Sequence, residues 1–189
     1  MGLPLQASVA LPMRLRLLAA LALSLAAMTS ALSLTGCADE PLDVAEGVDL
    51  VRFQGQWFEI GKLPRITQAD CTGTTAFYTV RDGGLDVVHQ CRLHTLDGEL
   101  HSRTARAVVN DPTVTAKMKI DVGGFFGDYW VLEVGEHYEY AVVGHPSRDY
   151  LWILSRTPSM EQDKLDGILA RAREKKFDTS KVELTKQAP

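Results

Sequence analysis

The sequence predicts an all-β fold, an eight-stranded antiparallel up-and-down barrel with one C-terminal helix packed on its outside. Three observations carry this. From Gly55 onward, segments rich in Val, Tyr, Phe, Trp and Thr follow one another with short, turn-forming connections. Only one stretch, near the C-terminus, has apolar residues at helical spacing. An apolar N-terminal run ends at Cys37, setting aside residues 1–36 and leaving about 150 for a single domain with one core.

The strands are expected at residues 56–62, 74–80, 85–92, 100–109, 116–122, 129–134, 138–144 and 150–156. Between them lie Asp82-Gly83-Gly84, Asp97-Gly98, Asn110-Asp111-Pro112, Gly123-Gly124, Gly135-Glu136 and Pro146-Ser147-Arg148-Asp149. Glycine supplies positive φ and proline presets its own, so these connections favour hairpins. Eight hairpin-linked strands close most simply into a barrel, which removes exposed edges and leaves an interior wide enough for one small ligand.

The helix is expected to open at Ser159, with Gln162 completing a capping box and Pro158 just ahead of it. Leu165, Ile168, Leu169 and Ala172 form its apolar face, which packs on the barrel wall, while Lys164, Arg171, Arg173, Lys175 and Lys176 form a solvated basic face.

Arg14 and Arg16 precede the uncharged apolar run Leu17 to Leu32, and the small residues Thr35 and Gly36 stand before Cys37. This is the layout of a cleaved export signal rather than of a retained membrane span. It resembles the signal of bacterial lipoproteins, which implies cleavage before Cys37 and lipid on its sulfur; in such proteins Ala38, rather than aspartate, at the next position implies the outer membrane. Met13-Arg14-Leu15-Arg16 makes an equally conventional start to Met1. Residues 37–48 then form a lipid-anchored tether, acidic and without period, and residues 49–189 the domain.

The net charge of −4 becomes about −6 once Arg14 and Arg16 leave with the signal, and no basic run suits phosphates, so nucleic acid is excluded as a partner. With Cys37 occupied by lipid, Cys71 and Cys91 remain as an even pair in an oxidising compartment, where a disulfide is expected. The five histidines have no zinc spacing and the serines no nucleophile-elbow pattern; no metal, cofactor or catalytic residue is implied.

Alternation assigns the interior. With Lys117, Lys119 and Asp121 in water, Met118, Ile120 and Val122 face inward; Glu133 outward sets Trp130, Leu132 and Val134 inward; Glu139 outward sets Tyr140 and Val142 inward. Leu85, Val87, His89 and Cys91 share one inward parity.

Gly55-Gln56-Trp57-Phe58-Glu59-Ile60 resembles the Gly-x-Trp signature of the lipocalins. Asp128-Tyr129-Trp130 stands where that family has its second motif, and the run from Asp149 to Pro158, Asp-Tyr-Leu-Trp-Ile-Leu-Ser-Arg-Thr-Pro, is similar to the third. The likeness runs from Val48 to about Thr185 and is strongest to the bacterial outer-membrane lipoprotein branch, with plant temperature-induced lipocalin and apolipoprotein D nearby. It implies that Trp57 plugs the closed end with Arg156 across its ring, making Gly55, Trp57 and Arg156 scaffold. It also implies that Tyr78 and Trp130 line the pocket.

Parity and resemblance together give the expected ligand contacts Tyr78, Val87, His89, Met118, Ile120, Trp130, Leu132, Tyr140 and Val142. The implied function is binding of a fatty acid or lysophospholipid, with little polar recognition, for lipid storage, transport or scavenging in the envelope. The implied location is the outer membrane, lipid-anchored and facing the periplasm, with a homodimer left open. Two alternatives remain at this point: a thiol-dependent enzyme using Cys91, which needs a free thiolate, and a structural envelope lipoprotein that holds no ligand.

Overall fold

The structure, a computed structural model, describes residues 41–121 and 126–189. The signal, Cys37 and Val122 lie outside the described residues. Residues 41–189 form one compact unit. In chain order its elements are α1 (Leu50–Phe53), β1 (Gly55–Lys62), β2 (Cys71–Arg81), β3 (Gly84–Leu93), β4 (Leu100–Val109), β5 (Lys117–Asp121), β6 (Phe126–Val134), β7 (Tyr140–Gly144), β8 (Leu151–Ser155), α2 (Gln162–Glu174) and β9 (Glu183–Leu184). Each strand from β1 to β8 pairs antiparallel with the next, and β8 returns to β1, so the eight expected strands close into a barrel.

β9 was not expected. β1 pairs with β2 only from Gly55↔Tyr78 to Phe58↔Thr75, after which the two strands part. The C-terminal segment fills the gap: Gly61 and Lys62 pair with Leu184 and Glu183, and the Lys186 carbonyl accepts from the Gly73 amide (2.7 Å). The Gln187 side chain donates to the carbonyls of Glu59 and Thr74, so one amide spans both strands. Edge groups of β1 and β2 that would otherwise be unpaired are satisfied in this way.

At the closed end, Asp49 caps α1 by accepting from the amides of Val51 (2.8 Å) and Arg52 (3.2 Å). Trp57 is fully buried and donates its indole N–H to the Phe53 carbonyl (2.8 Å). The Arg156 guanidinium lies 3.8 Å above the Trp57 ring and donates to the carbonyls of Gln56, Arg52 and Tyr138. It ties α1, β1 and the β6–β7 turn together over one aromatic face. Gly55 sits at φ +96°, where a side chain is strained, directly beneath that guanidinium.

α2 runs from the closed end, where Lys164 meets Glu139, towards the open end, where the Lys175 carbonyl meets Arg148. Leu165, Ile168 and Ala172 are buried against Ile60, Leu132, Val142 and Ile153 on the outer wall. The expected cap is corrected: Glu161, not Ser159, is the N-cap and makes no side-chain bond. The Ser159 carbonyl accepts from Thr157 Oγ1, and the Gln162 side chain turns forward to Asp166, so neither half of a capping box is available.

Residues 41–48, expected as part of a tether, belong to the domain instead. Leu42 is buried in the outer cluster and Val48 in the barrel core, while the Ala45 amide donates to the Val131 carbonyl (2.9 Å). Residues 41–48 are a strap along the domain, and their acidic side chains belong to its solvent side.

Candidate ligand cavity

Inside the barrel lies a cavity of about 640 Å³. Its depth is graded by the strand register. Next to the Trp57 floor, Tyr78 pairs with Val87, and the Tyr78 and Tyr129 hydroxyls share a hydrogen bond. One layer higher, Ala76, His89 and Arg103 are neighbours across β2, β3 and β4; above these stand Glu59, Thr74 and the Cys71–Cys91 disulfide. On the opposite wall Tyr129, Trp152 and Tyr150 form an aromatic series with centroids 6.3 Å apart, and the Arg65 guanidinium covers Tyr150 at 4.3 Å. Arg65, Phe126, Ser147 and Asp149 border the mouth.

Burial works against charge on several of the inner polar groups. Burial pushes the Glu59 carboxyl above the usual carboxylate range, even though its Oε1 accepts from Thr185 Oγ1 (2.6 Å). Burial likewise pulls His89 down to about 4 and raises the Tyr78 and Tyr129 hydroxyls. The Thr74 hydroxyl is buried without a hydrogen-bond partner among the described residues.

A family model for the lipocalin-like domain matches residues 48–187. This chain belongs to the lipocalin family. Temperature-induced lipocalin-1 of Arabidopsis thaliana is 33% identical over 155 residues, covering 78% of this chain and 83% of the relative. Outer membrane lipoprotein Blc of Citrobacter freundii is 32% identical over 169 residues, covering 86% and 94%. Among solved structures, insecticyanin from the tobacco hornworm superposes with a TM-score of 0.61 at 22% identity, covering 79% of this chain and 86% of that one, which speaks to the fold.

Of the contacts expected for this lipocalin, Tyr78, His89 and Ile120 line the cavity. Val87 and Met118 face the interior but belong to the packed core beneath it. Trp130, Leu132, Tyr140 and Val142 require correction, because all four pack in the outer cluster with α2. Glu133 does point outward, to Arg171 of α2 and the Tyr140 hydroxyl. However, β6 carries a bulge: Val131 pairs with Val143 and Glu133 with Val142, so Leu132 is an extra residue. Leu132 and Glu133 therefore share the outer face, and Tyr129 and Val131 take the interior. Glu139 belongs to the turn before β7, so its outward facing does not set the parity of Tyr140 and Val142.

Trp152 and Glu59 line the cavity and were missed. Their signal was parity with scaffold residues: Arg156 and Trp57 face inward, so Leu154, Trp152 and Glu59 follow at period two. Cys91 also lines the cavity, and its sulfur is bonded to Cys71 rather than free as a thiolate.

His89 gives this lipocalin a testable pH response. Its folded pKa of about 4 lies below the unfolded value of about 6.5, so the unfolded chain binds more protons between these limits. Stability is then fully present above pH 6.5 and falls as pH drops towards 4, by up to about 3 kcal/mol. Glu59 acts in the opposite sense, since its raised pKa relieves a burial cost on protonation. Urea unfolding of parent and His89→Gln across this window is expected to show the parent losing stability relative to the variant. Parallel curves would contradict the assignment.

Proposed function

We propose that this lipocalin takes up a hydrophobic ligand, a fatty acid or lysophospholipid, and that lipid on Cys37 holds it on the outer membrane facing the periplasm. There it stores, carries or scavenges lipid in envelope maintenance or stress. The single observation that carries the reading is the interior cavity of about 640 Å³, within the range of sites that enclose a small ligand and walled in part by Ala76, Ile120, Leu154 and three aromatic rings. An acyl chain buried there gains about 0.8 kcal/mol per methylene. Thr74, His89 and the tyrosine hydroxyls add polar groups that can fix one end of a ligand. The anchor is supported by the apolar run ending at Cys37, and the location by the similarity to proteins named outer membrane lipoproteins.

Native mass spectrometry and lipid extraction of the full chain purified from membranes test both parts. A bound acyl lipid and an acylated Cys37 are expected; Cys37→Ser is expected to remain uncleaved and to take no palmitate label. Trp152→Ala is expected to weaken fatty-acid binding by roughly 1 to 3 kcal/mol with the fold retained. Trp130→Ala is expected to bind as the parent does, since its ring lies outside the barrel under the Lys117 ammonium (4.4 Å). The opposite result from this pair would remove the cavity as the ligand site.

A further inference from the structure

We propose that the open mouth of the barrel docks on the phospholipid bilayer carrying the Cys37 lipid, with Ile66, Leu96 and Phe126 entering the headgroup boundary. The proposal rests on the anchor reading above and adds the orientation and the second contact. Of the seven large apolar side chains exposed among the described residues, four ring this end: Ile66 (98% exposed), Phe126 (68%), Leu100 (47%) and Leu96 (39%). Ile66 and Leu96 come from the β1–β2 and β3–β4 connections, and Leu100 and Phe126 are the first residues of β4 and β6, so the four meet only at the mouth.

The chain enters the domain from the same end. The Lys175 carbonyl accepts from Arg148 in the β7–β8 turn at the mouth, while the Lys175 ammonium donates to the Asp43 carbonyl. Leu42 packs in the outer-wall cluster, which extends to Leu63 and Leu151 at the mouth ends of β1 and β8. From there the strap descends past Val131 to Thr115 at the closed end. Pro41 follows Cys37 by four residue steps, which reach at most about 14 Å. The wall is longer: β3 has ten residues, about 33 Å along the strand and about 25 Å along the barrel axis at the usual tilt. A lipid on Cys37 therefore cannot hold the closed end against a membrane.

Charge does not carry the contact. The rim mixes Asp70, Asp97, Glu99 and Asp149 with Arg65, Arg103 and Arg148, so attraction to anionic lipid is weak and the apolar ring is the attractive element. The lipid on Cys37 holds the domain at the leaflet, and the apolar ring adds a second contact that sets its orientation. In this orientation an acyl chain passes from leaflet to cavity without crossing bulk water.

The test uses the full lipidated chain in vesicles of phosphatidylethanolamine and phosphatidylcholine, with an environment-sensitive fluorophore on Ile66→Cys or, at the closed end, on Asp82→Cys. On vesicles the label at 66 is expected to shift blue and lose quenching by aqueous iodide, equally at low and high salt, while the label at 82 stays quenched. Equal iodide access at both positions, with acyl mass present on Cys37, would overturn the orientation and leave the anchor standing. Absence of acyl mass would overturn both. Protection of position 66 without vesicles, together with a cross-linked dimer, would assign the mouth to a second copy and overturn the proposal. The pair Ile66→Asp and Leu96→Ser, which lies outside the cavity lining, is expected to slow uptake of a fluorescent fatty acid from vesicles several-fold while leaving its affinity in solution unchanged. Unslowed uptake would also overturn it.

Discussion

Trp57→Ala is expected to lower the free energy of unfolding by about 3 to 5 kcal/mol, the usual cost of deleting a large buried aromatic ring. The ring has no solvent exposure, packs on Phe53 with centroids 5.0 Å apart, and is the floor on which the cavity rests. Its loss also weakens the hold on two polar partners. The Phe53 carbonyl loses the indole N–H and keeps only the longer bond from Arg156 (3.3 Å), and the Arg156 guanidinium loses the aromatic face that shields it while it bridges the carbonyls of α1, β1 and the β6–β7 turn. Trp57→Phe, which keeps much of the volume but not the N–H, is expected to cost distinctly less. Urea unfolding followed by circular dichroism measures both; a loss below about 1 kcal/mol for the alanine variant would mean that the closed end is held by something other than this plug.

The barrel was legible because its signals are local and repeated. Val, Tyr and Thr runs mark each strand, Asp-Gly and Gly-Gly mark turns, and closure follows from the count. α2 was legible through Leu165, Ile168 and Ala172, whose spacing needs no knowledge of what they pack against. β9 was not, because Glu183–Leu184 carries no strand pattern of its own. It pairs only because β1 and β2 part beyond Phe58 and Thr75, a fact of the closed barrel rather than of residues 183–187. The burial of Leu42 and Val48 was hidden for a similar reason, since two apolar residues among acidic ones read as a spacer until a wall stands beside them.

The cavity list failed where alternation was carried across an irregularity. Polar residues are reliable outward markers only while the strand stays regular, and one extra residue at Leu132 inverts everything on the far side of it. The outer wall under α2 deepens the error. There, outward residues such as Trp130, Leu132 and Val142 are apolar and half-buried or buried, so outside looks like inside in the sequence. Scaffold residues of known facing are better rulers: counted from Arg156 and Trp57, the period reaches Trp152 and Glu59 without crossing a turn. It also shows that the interior carries a carboxyl, an imidazole and paired phenols, a more polar lining than aliphatic runs alone suggest.

Replacing the disulfide by Cys71→Ser with Cys91→Ser is expected to cost about 3 kcal/mol, the chain-entropy value for closing a loop of this length, the two cysteines being 20 residues apart. The sulfurs meet because β2 is irregular at its start: Thr72 pairs with Arg92 and Thr75 with Gln90, leaving one residue extra. Gly73 takes φ +58° within that bulge, a conformation glycine adopts without strain. The Gly73 amide also donates to Lys186, so the disulfide and the C-terminal segment hold the same short stretch of β2 at the cavity mouth. Opening the link is therefore expected to do two separable things. Global stability falls, read by denaturation of parent and variant without reductant, and amide exchange rises selectively at Gly73 and Thr185, which β9 and its flanks protect. Peptide mapping of the unreduced parent is expected to recover Cys71 and Cys91 as one linked pair. If the double variant matches the parent in stability and exchange, the link adds nothing to the hydrogen bonds that already join Lys186 and Gln187 to β2, and the C-terminal segment alone closes the barrel there.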